Sequence, residues 1–100
     1  MDLYLRKVIR PQAHDNYRVV LKDEDGDVEI GSIGVQHAAG SSYFWAWGID
    51  TDIPSIALEI AQGQGKDRED CMKQFKSAWE RFAADAGNLT EFLNAKRRRP

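Results

Sequence analysis

The sequence predicts a two-layer α+β domain: an antiparallel sheet of three to five strands, then one long helix packed on one sheet face and a short C-terminal helix. Three observations carry this. Apolar residues alternate at a period of two before residue 50, recur every three or four residues between Cys71 and Ala86, and flank an Asp25-Gly26 turn.

The elements follow in chain order. Leu3 and Leu5 alternate with Tyr4 and Arg6, which predicts an N-terminal strand ended by Pro11. Tyr17, Val19 and Leu21 share one face of the next strand. Asp23 to Asp27 forms a hairpin turn, because glycine accepts a positive φ. On the return strand, Val28 to Gln36, the apolar phase slips from Val28/Ile30 to Ile33/Val35, which places a β-bulge near Gly31-Ser32. Tyr43, Trp45, Trp47 and Ile49 then alternate with Phe44, Ala46, Gly48 and Asp50. Ile56, Leu58 and Ile60 fit either a further strand or a helical turn.

Gln62 to Gly65 reads as a flexible turn before a helix capped by Asp67. Cys71, Phe75, Ala78, Trp79, Phe82 and Ala83 fall on one helix face. Gly87 is the expected C-cap, and Asn88-Leu89-Thr90-Glu91 resembles a capping box that opens the short helix. Tyr43, Trp45, Trp47 and Ile49 are the sheet residues suited to receive Phe75, Trp79 and Phe82. The opposite face, with Phe44, Val20 and Arg18, is then left as a possible partner surface.

Charge is uneven along the 100 residues. Lys96, Arg97, Arg98 and Arg99 hold four of the fourteen basic side chains, leaving ten against sixteen acidic ones, a net of −6, in residues 1–95. The expected organisation is one domain over 1–95 and a basic tail over 96–100. One cysteine excludes a disulfide framework, and no apolar run spans a bilayer. With no secretory signal legible, the chain is expected to be cytoplasmic.

No motif carries chemistry. A calcium loop with Gly26 at its sixth position would need ligands where Leu21 and Ser32 stand. A phosphate loop at Gly63 to Lys66 would need a glycine at Ile60 and a hydroxyl at Asp67. His14, His37 and Cys71 lack metal-ligand spacing, and Cys71 lies on the apolar helix face. No cofactor, metal or catalytic residue is expected. Tyr43, Trp45 and Trp47 could stack bases, but the same pattern is what a sheet needs to pack on a helix.

The sequences Trp45-Ala46-Trp47-Gly48-Ile49, Gly65-Lys66-Asp67-Arg68-Glu69-Asp70-Cys71, and Phe75 with Ala78-Trp79 resemble a group of short bacterial hypothetical proteins. These share a W-x-W strand, a glycine turn and an R-E-x-x…A-W helix. The resemblance covers roughly residues 17 to 98 and implies a fold and a bacterial cytoplasmic setting, with no activity attached. The expected function is a small non-enzymatic interaction module, with a homodimer as one form of it. The alternative is a weak nucleic-acid binder acting through Lys96, Arg97, Arg98 and Arg99.

Overall fold

In a computed structural model, the described residues (2–9, 15–37, 42–50 and 61–98) include five strands and two long helices. The strands are β1 (Leu3–Lys7), β2 (Asn16–Leu21), β3 (Val28–His37), β4 (Tyr43–Ile49) and β5 (Gln62–Gly65). They make one sheet in the order β1-β2-β3-β4-β5, with every neighbouring pair antiparallel. Helices α1 (Arg68–Ala83) and α2 (Ala86–Arg97) follow, giving the α+β arrangement that the periodicities predict. The stretch Ile56 to Ile60, together with His14 and Arg99, lies outside the described residues.

The β2–β3 connection closes as a hairpin, with Gly26 at φ 118° and the Gly26 N–H donating to the Asp23 carbonyl at 3.1 Å. The bulge is one residue earlier than the apolar slip suggests. Val19 faces Gly31 and Val20 faces Glu29, so Ile30 is the extra residue. That insertion lets Val28, Ile30 and Ile33 all join the core.

One face of the sheet receives α1. Cys71, Phe75, Ala78, Trp79, Phe82 and Ala83 are buried there against Val19, Leu21, Ile33, Trp47 and Ile49. Trp47 and Phe75 meet edge to face at 5.9 Å, and the Trp47 indole N–H donates to Gln74 Oε1 at 3.0 Å. Phe92 of α2 packs edge to face on Trp79 at 5.1 Å and on Phe82 at 5.8 Å. Tyr43 begins β4 beyond this contact and is 66% exposed, so only the later part of its strand face serves as core.

Two expectations are corrected. Gln62 to Gly65 is strand β5 and not a turn. Its glycines make room for the core: a Cβ at Gly63 would lie 2.7 Å from Trp47 Nε1, and one at Gly65 2.8 Å from Cys71 Sγ. The long helix also ends sooner than Gly87 suggests. Asp67 caps it as expected, accepting from the Asp70 N–H at 2.7 Å, but Ala84 closes it and Asp85 caps α2 by accepting from the Asn88 N–H at 3.0 Å. Gly87 therefore sits in the first turn of α2. The early break lets α2 fold back and bring Phe92 onto Trp79.

Candidate interaction surface

The register places side chains of the second sheet face in rows across the strands. Arg6, Arg18, Ser32, Gly48 and Gln62 form one row; Asn16, Gly34, Ala46 and Gln64 form the next; Gln36 and Phe44 form a third. The surroundings of the β3 glycines separate the faces. A Cβ on Gly31 would meet the Phe75 ring, whereas one on Gly34 would meet the Asn16 side-chain amide. Ser32, Ala46 and Gly48 thus make a trough of small residues along the two central strands, with Gly34 between them covered by the Asn16 side chain. Concavities of about 230 Å³ and 400 Å³ lie along it and share Gln36, Ala46 and Gln62. Ser32, Gln36, Gln62 and Gln64 are exposed, and Phe44 stands half-buried at one end.

The other end is charged but internally paired. Arg18 donates to Glu29 at 3.1 Å and to Asp50 at 2.6 Å, and Arg6 reaches Glu29 at 2.7 Å. Lys96, from the last turn of α2, reaches the same Asp50 carboxylate at 2.5 Å. Arg97 pairs with Asp23 of the hairpin turn. Burial pushes the Asp50 carboxyl up, but the hydrogen bonds and charges of Arg18 and Lys96 outweigh it and hold its pKa below the ordinary value. Glu29 is likewise lowered: partial burial opposes, and Arg6 and Arg18 prevail.

A carboxylate with a depressed folded-state pKa contributes stability above its unfolded value and loses it as pH falls through the folded value. We therefore expect Asp50→Asn to cost about 1–3 kcal/mol at neutral pH. The gap to wild type should close below the ordinary carboxylate value of 3.8. Denaturant titrations of both proteins across the acid range measure this. A gap independent of pH would contradict the Arg18–Asp50–Lys96 linkage.

Of the sequence-predicted surface residues, Phe44 and Arg18 lie on this face. Val20 also points to it but is 1% exposed and presents no side chain for a partner to meet. Lys96 and Arg97 belong to α2, Arg98 caps it, and the first two are turned toward acidic groups of the domain. Cys71 is fully buried, and burial together with the Asp70 charge pushes its thiol up. No group of three His, Cys, Asp or Glu side chains among the described residues could hold a metal ion. No described helix is long and apolar enough to cross a membrane.

The trough residues Ser32, Ala46 and Gly48 carry a signal in the sequence, since all alternate with Ile33, Trp45 and Trp47. Gln62 and Gln64 carry none while their segment reads as a turn. Asp50 is visible only as a strand end, because its partners Arg18 and Lys96 are 32 and 46 residues away. No family model matches the chain, and neither a curated protein nor a solved structure matches it.

Proposed function

We propose that the protein is a non-enzymatic interaction module that self-associates through the sheet face opposite α1. The observation that carries this reading is the trough of Ser32, Ala46 and Gly48 bounded by Phe44, by the Asn16 side chain over Gly34 and by exposed glutamines. A floor without large side chains admits close approach of a second surface, and amide groups both donate and accept. At the charged end of the face, Arg18 and Glu29 already hold ion pairs within the domain. The bacterial cytoplasmic setting proposed with this reading is supported by the W-x-W and A-W motif resemblance. Nucleic-acid binding through Lys96 to Arg99 is the weaker proposal, because Lys96 and Arg97 already face Asp50 and Asp23.

Light scattering over a concentration series tests the proposal. The wild-type mass should rise with concentration toward twice the monomer mass, and Phe44→Asp should remain monomeric with an unchanged circular dichroism spectrum. A monomer at every concentration, or an association indifferent to Phe44→Asp, would sink it.

A further inference from the structure

The geometry points to α2 as an exchangeable segment: the α1–α2 corner is a hinge that straightens into one continuous helix and delivers α2 to the seat of a second copy. This inference does not rest on the sheet-face association proposed above and uses different residues. The corner is made by one residue. Ala84 is already helical at φ −61° and ψ −25°, and its N–H still donates to the Glu80 carbonyl at 3.0 Å. Asp85, at φ −87° and ψ 111°, turns the chain before α2 begins at Ala86. Rotating that ψ into the helical range would fuse Arg68 to Arg97 into a single helix. The residues around the bend favour this. Ala83, Ala84 and Ala86 are of the strongest helix-forming type. Phe75, Trp79, Phe82, Ala86, Leu89 and Leu93 keep the three- and four-residue spacing of one apolar stripe straight through it. What favours the bend locally is the Asp85 cap, which accepts from the Asn88 N–H at 3.0 Å. In a straight helix that N–H would donate to the Ala84 carbonyl instead.

The seat of α2 is equally suited to either source. Phe92 packs on Trp79 and Phe82, Lys96 reaches Asp50, and Arg97 reaches Asp23. Each contact joins α2 to an earlier part of the domain, so an α2 supplied by a second copy remakes all of them. Straightening carries α2 away from its own seat and leaves the seat open. The segment whose aromatic and cations match that seat is another α2. The partner is therefore a second copy that gives its α2 in return, which closes the pair by two-fold symmetry. A short hinge between two packed elements is the setting in which such exchange arises.

Refolding tests the hinge in the full chain carrying Phe44→Asp, which removes association through the sheet face. Because α2 must leave its seat before it is exchanged, dilution from denaturant at high protein concentration should yield dimers, and at low concentration monomers. Size-exclusion chromatography with light scattering reads the two. Adding Asp85→Ala removes the cap and leaves four alanines in a row. With two hinges in each dimer, the dimerisation constant should rise roughly 10–30-fold. Ala86→Pro locks the corner: proline suits the first helical position, holds Asp85 in extended backbone and clashes with the Phe82 carbonyl of a straight helix. That variant should keep its circular dichroism spectrum and give no dimer. A dimer indifferent to Ala86→Pro, an Ala86→Pro chain that fails to fold, or monomers alone from every chain including Asp85→Ala would overturn the hinge. Exchange that obeys the hinge variants, with no Phe44-dependent association in the native protein, would overturn the sheet-face reading and leave the hinge standing.

Discussion

Phe75→Ala is expected to destabilise the domain by about 3–5 kcal/mol, the range for emptying a large buried aromatic site. Phe75 is wholly inaccessible, touches Trp47 edge to face, and fills the space left by Gly31 at the centre of the sheet. No neighbour can collapse into the gap without losing contact with both layers. A domain of this length has about 5–15 kcal/mol in total, so the variant should melt roughly 15–30 °C lower or fail to fold. Thermal unfolding followed at 222 nm measures the loss. Phe44→Ala is the matched control on the other face and should cost less than about 1 kcal/mol. Equal losses for the two variants would contradict the assignment of faces.

The second large effect is expected at Gly31. A Cβ there would sit well inside van der Waals contact of the Gly48 carbonyl oxygen and 2.5 Å from Phe75 Cε2. The first obstacle is backbone, held by the pairing of Gly31 with Ile49, and the second is the ring that organises the core. Neither can move alone. Gly31→Ala should therefore cost about 3 kcal/mol, the upper end of the range for overpacking, and Gly31→Val more. Gly34→Ala gives the contrast. Its new Cβ would meet the tip of the Asn16 side chain, which can rotate away, so the cost should stay near 1 kcal/mol. Chemical denaturation of the three variants orders them. A Gly34 variant worse than the Gly31 variants would show that α1 does not lie against the bulge.

What the sequence could and could not foretell has physical causes. The alternation of Trp45, Trp47 and Ile49 and the three-to-four spacing of Cys71, Phe75, Trp79 and Phe82 are local, and local periodicity dictates which side is buried. Strand β5 was hidden because Gln-Gly-Gln-Gly has no β-propensity of its own. Gly63 and Gly65 are explained only by the Trp47 ring and the Cys71 thiol above them, contacts that arise from tertiary packing. The helix boundary went to Asp85 over Gly87 because a carboxylate that satisfies a free N–H competes well with a glycine that merely permits a turn. The trough was legible as small residues opposite large ones. Its row structure was not, because the extra residue Ile30 sets which residues of β2 and β3 oppose each other. The ion pairs from α2 to Asp50 and Asp23 join residues 46 and 74 apart, which no pattern in the chain can anticipate.

The most direct test of the central claim, that the face opposite α1 is the surface of self-association, is a dilution series of two-dimensional nitrogen–proton spectra with the side-chain amides assigned. The Gln36, Gln62 and Gln64 side-chain amides should shift together with concentration along one binding curve, while the indole of Trp79, buried on the other side of the sheet, should hold still. Glutamine amides that do not move while the mass changes, or shifts concentrated around Tyr43 and α1, would contradict it.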